Sequence, residues 1–151
     1  MLYIQLVTTT KDPHHLAAEI ARDCMATRVR GLERKLTRIY DEALRDHGLT
    51  GSQLGMLVAI QLCGTTTAAT VGRILDLEKS TVSRNLARLA AAGLVDVSEG
   101  PRITARGAAA IAACHPAWRA AQRKARAALR PAEGRLIARL APRDPRDNQA
   151  T

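Results

Sequence analysis

The sequence predicts a mainly α-helical fold with a small β-hairpin, and three observations support this prediction. Apolar residues recur at steps of three to five positions over most of the chain, as they do on the buried face of a helix. Two short helical stretches flank a three-residue break at 76–78, which is the shape of a helix-turn-helix. Directly after Gly93, apolar and polar residues alternate, which is typical of a strand.

The first predicted element is one long helix over 12–47. Asp12 and Pro13 suit the N-cap and the first helical residue. Gly48 suits the end of the helix, because glycine adopts the left-handed conformation without strain. The apolar face of this helix is expected to contain Leu16, Ile20, Met25, Val29, Leu32, Leu36, Ile39 and Ala43.

The second helix has the clearest start. Thr50 and Gln53 have the spacing of a capping box, in which each side chain binds the backbone amide of the other residue. We therefore expect a helix that begins after Thr50 and ends at Gly64. A short third helix over 68–75 and a fourth over 79–92 follow.

Residues 94–98 and 102–104 are predicted to form a small hairpin around a turn of Glu, Gly and Pro at 99–101.

The remainder of the chain is predicted to be helical. Thr104 is a good N-cap for a helix that extends to about residue 129, which Pro116 should kink. Pro131 begins a short last helix with Leu136, Ile137 and Leu140 on its apolar side. The tail over 142–151 is rich in Pro, Asp and Arg, so we expect it to be disordered.

The composition narrows the class of partner. The net charge is +9, most of it contributed by residues 107–151, and this favours a polyanion as partner. The large excess of arginine over lysine is explained equally well by a GC-rich genome. Only 2% of the residues are aromatic, so the alanine-rich helices bury little area each, which favours an oligomer.

Several classes of protein are not expected. The N-terminal residues lack the features of a signal peptide, and no apolar run reaches the roughly 18 residues of a membrane span. Cys24, Cys63 and Cys114 are few and have no CxxC spacing, which fits a reducing cytoplasm. Cys114 and His115 point about 100° apart on a helix, so they cannot cooperate as a catalytic pair. We therefore expect neither an enzyme nor a bound metal or cofactor.

The fourth predicted helix carries the strongest functional signal. Val82, Leu86 and Leu89 are spaced to form its buried face. No acidic residue follows Glu78 on this helix, so an exposed helix of this kind suits the major groove of duplex DNA. The opposite face then presents Lys79, Ser80, Thr81, Ser83, Arg84 and Arg88.

The order of these elements resembles the MarR family of winged helix-turn-helix transcriptional regulators. The motifs that carry the resemblance are LDLEKSTVSRNL at 75–86, with Leu89, AGLV at 92–95 and ITARG at 103–107. The resemblance implies a cytoplasmic homodimer that binds a pseudo-palindromic double-stranded operator. It implies a repressor relieved by a small-molecule effector that lies between the dimer helices and the winged module, and that changes the spacing of the two DNA-reading helices. The implied organisation is an N-terminal dimerisation helix (1–48), a winged helix-turn-helix module (49–104), C-terminal dimerisation helices (105–141) and the tail (142–151).

The same resemblance assigns roles to individual residues. Ser80, Thr81 and Arg84 match positions that touch bases or nearby phosphates, and Ser83 shares their face. Backbone contacts are expected for four further residues, Lys79, Arg88, Thr50 and Ser52. The hairpin corresponds to the family's wing, and Arg102 is its candidate DNA-binding residue. This wing is shorter than the family's and lacks its Asp-x-Arg pattern.

Two alternative functions remain open at this stage. A metal-sensing or thiol-redox-sensing version of the same regulator would use a set drawn from Cys24, His47, Cys63, Cys114 and His115. A sequence-tolerant architectural DNA-binding protein would use Arg119, Arg123, Lys124, Arg126 and Arg130.

Overall fold

The computed structural model describes residues 12–139, and these form helices with one small hairpin. The helices are α1 (Pro13–Asp23), α2 (Met25–Leu44), α3 (Gly51–Cys63), α4 (Ala68–Leu75), α5 (Lys79–Ala91), α6 (Ala105–Ala127) and α7 (Pro131–Arg139). A 3₁₀ turn covers Arg45–His47, and the strands are β1 (Val95–Asp96) and β2 (Arg102–Ile103). The described part of the chain divides into two compact units, with the boundary between Lys35 and Leu36.

In the first unit the prediction of one uninterrupted helix over 12–47 is wrong. Cys24 leaves the helical conformation, with ψ at 105°, and separates α1 from α2. The break is stabilised locally, because the guanidinium of Arg28 donates to the carbonyl oxygen of Arg22 at 2.7 Å. A carbonyl that loses its helical partner at the end of α1 is therefore satisfied by a side chain from the next turn.

The start of α1 agrees with the prediction. The carboxylate of Asp12 accepts a hydrogen bond from the backbone amide of His14, and Pro13 occupies the first turn. At the other end, α2 stops at Leu44 and tightens into the 3₁₀ turn, and Gly48 closes it with φ at 68°.

The second unit has its main core among α3, α4, α5, the hairpin and the first half of α6. The predicted capping box begins α3, because Thr50 accepts from the amide of Gln53 and the Gln53 side chain accepts from that of Thr50. The largest fully buried side chains of this core are Leu44, Met56, Leu57, Ile60, Val71, Val82, Leu89 and Cys114.

A tight turn joins α4 to α5. Asp76 ends α4 in the left-handed conformation, with φ at 50°. A Cβ at Gly72 would lie 3.2 Å from both the carbonyl oxygen of Leu77 and Cγ2 of Val82. The absence of a side chain at Gly72 thus allows α5 to pack closely against α4, as the helix-turn-helix prediction requires.

The predicted hairpin is present but shorter than expected. Val95 pairs with Ile103, and Asp96 pairs with Arg102, in an antiparallel ladder of two residues per strand. The turn includes Gly100, whose φ is 108° and whose Cβ position lies 2.9 Å from the carbonyl oxygen of Thr66. The tip of the hairpin is therefore held against the loop before α4.

Helix α6 begins at the predicted cap, Thr104, and continues through Pro116 to Ala127. In its second half, Ala121 and Ala125 pack with Ile39 of α2 in a small second core. Helix α7 begins at Pro131 as predicted, whereas Leu140 and the tail at 142–151 lie outside the described residues.

None of the described helices is by itself long and apolar enough to cross a membrane. The pair α3 and α4 passes the same test of length and composition when taken together, but it is bent by 118°.

Candidate nucleic-acid interface

Helix α5 has one face in the core and one in solvent. Val82, Leu86 and Leu89 are only 2%, 7% and 1% exposed, as their spacing predicts. Thr81 is half-buried, because it lies at the edge of the apolar face. The exposed residues of the opposite face are Lys79, Ser80, Ser83, Arg84 and Arg88.

The arginine at the centre of this face is oriented by its own helix. The Nε of Arg84 donates to the carbonyl oxygen of Ser80 at 3.2 Å, and its terminal nitrogen donates to Oγ1 of Thr81 at 3.4 Å. These three residues therefore form one polar cluster, in which the guanidinium keeps further N–H donors for a partner. A bidentate donor of this kind matches the acceptor edge of guanine.

The N-terminus of α5 adds partial positive charge to the same region. The N-cap residue is Glu78, and its side chain makes no capping hydrogen bond. Amides in the first turn of a helix that lack a side-chain cap can donate to a phosphate. Lys79 is exposed in this turn and carries the same sign of charge.

Comparison with known proteins agrees with this geometry. The model of the MarR family matches residues 47–102. The transcriptional regulator MosR of Mycobacterium tuberculosis is 33% identical, with 79% of this chain and 93% of that chain covered and a TM-score of 0.66. The chain belongs to the MarR family of transcriptional regulators. No curated protein matches it.

Two further solved structures extend the comparison. MosR in complex with DNA is 31% identical over 85% of this chain and 98% of that chain, with a TM-score of 0.67. BpsR of Bordetella bronchiseptica, whose DNA binding is regulated by 6-hydroxynicotinic acid, is 22% identical over 79% and 92%, with a TM-score of 0.68. Members of the MarR family are DNA-binding regulators and not enzymes, and the winged helix-turn-helix fold predicted here is confirmed.

In this MarR-family chain the wing arginine, Arg102, forms ion pairs with two acidic side chains. One terminal nitrogen of Arg102 lies 3.4 Å from Oδ2 of Asp96 and 3.4 Å from Oε2 of Glu99. Hydrogen bonds from the backbone and hydroxyl of Ser98 are the main cause of a lowered pKa at Asp96, and Arg102 contributes less. Since the side chains of Arg102, Asp96 and Glu99 are 45%, 46% and 78% exposed, these ion pairs hold Arg102 only weakly.

The two candidates at the start of α3 have different surroundings. The hydroxyl oxygen of Thr50 accepts the capping hydrogen bond and the residue is half-buried, so Thr50 has a structural role at this position. Ser52 is exposed on the first turn of α3. No structural role competes with its predicted contact to phosphate.

The family resemblance implies an effector site between the dimer helices and the winged module, but no sequence pattern predicted which residues line a cavity beside the end of α5. A cavity of about 620 Å³ is lined by Arg88 of α5 and Arg106 of α6, together with His47 and several Leu and Ala side chains. Arg106 belongs to the ITARG motif, but no local pattern relates it to Arg88 or His47. Only the packing of α6 against α5 and the start of α3 reveals this arrangement.

The cysteine and histidine candidates for metal binding do not lie together in one site in the described part of the chain. Among residues 12–139 no group of three His, Cys, Asp or Glu side chains could hold an ion. Cys114 is buried and its pKa is raised by desolvation, whereas His115 is exposed and stacks on Trp118 at 5.9 Å between ring centroids. The thiol of Cys24 differs, because hydrogen bonds from the hydroxyl and the amide of Thr27 lower its pKa.

Proposed function

We propose that this chain is a homodimeric, sequence-specific transcriptional repressor that binds a pseudo-palindromic operator and is released by a small-molecule effector. The observation that supports it is the outward polar face of α5, with its buried side anchored in the core and Arg84 held between Ser80 and Thr81. A helix presented in this way fits one major groove, and a dimer presents two of them.

In this proposal the residues of α5 divide their roles by position. Ser80, Thr81 and Arg84 read base edges, with Ser83 beside them, because they lie in the first two turns that enter the groove. Lys79 and Arg88 neutralise backbone phosphates at either end of the helix. Ser52, Thr50 and the wing residue Arg102 add phosphate or minor-groove contacts.

Dimerisation is proposed from apolar side chains that the monomer leaves in solvent. In the first unit Ile20, Met25 and Val29 are 67%, 78% and 61% exposed. In the second unit Leu136 of α7 is 59% exposed. Large apolar residues concentrated on terminal helices are typical of a homodimer interface.

A pair of arginine variants tests the assignment of α5. Arg84→Ala should weaken binding to the operator about tenfold or more and weaken binding to random duplex little, because a bidentate base contact discriminates by roughly 1–3 kcal/mol. Arg88→Ala should weaken both alike and lower the slope of affinity against salt, because it contacts phosphate. Fluorescence anisotropy at several salt concentrations measures both effects. Equal losses on the two duplexes for Arg84→Ala would contradict the assignment.

The same titrations separate regulation from architectural binding. If the affinity for the operator is about equal to the affinity for random duplex, the architectural alternative is favoured. In that alternative the arginines of α6 and of the turn before α7 bind any duplex. Two of those basic residues already have partners, because Lys124 pairs with Glu42 and Arg130 with Glu133. We therefore favour sequence-specific regulation over architectural binding.

One observation favours a thiol-sensing version of the regulator. The lowered pKa of Cys24 increases the fraction of reactive thiolate at neutral pH, and this residue lies at the break between α1 and α2. A peroxide that oxidises this thiolate to sulfenic acid would alter the break. Peroxide treatment should then weaken operator binding by the wild type but not by Cys24→Ser, with Cys63→Ser as the matched control. Equal sensitivity of all three proteins would exclude the thiol mechanism.

A further inference from the structure

The tip of the hairpin is folded back on the protein. A bridge between Ser98 and Gly100 tightens the turn. Gly100 has φ at 108°, and it lies so close to the loop before α4 that a Cβ would be 2.9 Å from the carbonyl oxygen of Thr66. The next residue, Pro101, is buried. The tip is therefore packed against its own chain, on a ladder of only two residues per strand.

The charge of the hairpin opposes its entry into the minor groove of DNA. From Val95 to Ile103 the chain carries two acidic residues and one basic residue, so the net charge of this segment is −1. The minor groove has a strongly negative potential, above all where A·T pairs narrow it, and this potential attracts arginine. A segment with net negative charge is repelled by the same potential.

The positive charge of Arg102 is offset within the hairpin itself. One of its terminal nitrogens lies 3.4 Å from a carboxylate oxygen of Asp96 and 3.4 Å from one of Glu99. The amide and the hydroxyl of Ser98 donate to Asp96 at 2.9 Å and 2.8 Å, which fixes the orientation of this carboxylate. Because both ion pairs are exposed, a phosphate can compete with them for Arg102. Insertion into the minor groove, by contrast, would bring both carboxylates into the groove with Arg102.

We propose that the wing of this chain contacts only the sugar–phosphate backbone, and that Asp96 and Glu99 limit the strength of the contact made by Arg102. Base sequence is then read in the major groove alone, by α5. The inference rests on the proposed function, and it selects the phosphate contact over the minor-groove contact for Arg102. The wing therefore adds affinity for any duplex but no sequence preference, because phosphates are the same at every base pair.

Modified bases in the operator test which groove the protein reads. The probe is a synthetic operator with A·T pairs on both sides of each half-site, in which 2,6-diaminopurine replaces the flanking adenines. This base adds an amino group in the minor groove and keeps the major-groove edge of adenine. Fluorescence anisotropy should show that the affinity of the full chain changes less than about twofold, because no side chain enters the minor groove there. A larger loss would overturn the proposal.

The control for these titrations changes the major groove instead. Replacing the guanines of the half-sites with 7-deazaguanine removes the N7 acceptor and should weaken binding about tenfold in the same assay. If 7-deazaguanine leaves the affinity unchanged, reading of guanine by α5 and with it the proposed function is wrong. The effect of diaminopurine would still decide whether the wing enters the minor groove, so the two failures are distinguishable.

A double-mutant cycle tests the effect of the acidic side chains on Arg102. Glu99→Gln should raise the affinity for operator and for random duplex by the same factor, about threefold, because it removes a negative charge beside the phosphates and releases Arg102. Arg102→Ala should then weaken binding more in the Glu99→Gln protein than in the wild type, on both duplexes. Glu42→Gln, which breaks the exposed ion pair with Lys124 outside the hairpin, should change neither affinity. An equal effect of Arg102→Ala in both backgrounds, or an effect on the operator alone, would contradict the proposal.

Discussion

At the scale of single residues, Gly107 determines how closely α6 approaches the hairpin. A Cβ at this position would collide with the carbonyl oxygen of Leu94 and lie 2.8 Å from Cδ1 of Ile103. The backbone of Leu94 cannot move freely, because it belongs to the segment that enters β1 and its carbonyl also accepts from Thr104. A side chain at residue 107 would therefore push the helix away from the wing.

We predict that Gly107→Ala destabilises the protein by about 1–3 kcal/mol, which is the usual cost of overpacking. Urea denaturation followed by circular dichroism measures the change. Gly55→Ala is the matched control, because a Cβ there has no atom within 4 Å and alanine favours a helix interior. A loss of stability no larger for Gly107→Ala than for the control would show that α6 and the hairpin are not in close contact.

The sequence predicts which residues of α5 are buried or exposed, but it does not predict which residues line the cavity. The buried and exposed sides of α5 follow from the spacing of Val82, Leu86 and Leu89, because one helix turn relates them. Arg106 has no such local relation to Arg88, and their common cavity depends on tertiary packing. Local periodicity therefore predicts which residues face outward, but not which distant residues meet.

At the scale of elements, Thr104 connects the hairpin to α6. Its hydroxyl donates to the carbonyl oxygen of Gly93 at 2.8 Å and accepts from the amide of Gly107 at 3.0 Å. One side chain thus caps α6 and ties its first turn to the end of α5. This contact helps to fix the position of the wing relative to the helix proposed to read DNA.

Thr104→Ala should lower the free energy of unfolding by about 1–2 kcal/mol, because the cap and the bond to Gly93 are both lost. Thr104→Ser keeps the hydroxyl and should retain most of the stability. Thermal or urea unfolding of the two variants compares them directly. The interpretation fails if serine and alanine destabilise the protein equally.

Some helix boundaries could be predicted from the sequence and one could not. The starts of α3, α6 and α7 were predicted from Thr50, Thr104 and Pro131, whose chemistry is local. The break at Cys24 was not predicted, because neither glycine nor proline lies there and the apolar spacing continues across it. It depends on side-chain bonds from Thr27 and Arg28 that periodicity does not encode.

At the scale of the whole molecule, the exposed apolar residues of the terminal helices make dimerisation testable. Val29→Glu and Ile20→Glu place a charge among residues that are 61% and 67% exposed in the monomer. Sedimentation should show twice the mass of one chain for the wild type and one chain for these variants, because a buried unpaired carboxylate opposes association. Val97→Glu, at a residue 45% exposed beside the hairpin, should leave the dimer intact. A monomeric wild type would contradict the proposal.

The net charge of +9 describes the whole molecule but does not locate the DNA-reading surface. Residues 107–151 carry most of that excess, whereas the proposed reading helix α5 contributes three cations, Lys79, Arg84 and Arg88. Composition therefore predicts a polyanionic partner, and the arrangement of α5 in the fold predicts where it binds.

The most direct test of the central claim is methylation interference on an operator selected from genomic fragments by the purified wild type. We predict that methyl groups at guanine N7, which lies in the major groove, block binding in two symmetric half-sites whose centres are about 10 base pairs, one helical turn, or a multiple of it apart. Such a pattern is expected if each protomer inserts α5 into a major groove. Interference confined to the minor groove, or the absence of two related half-sites, would contradict the account.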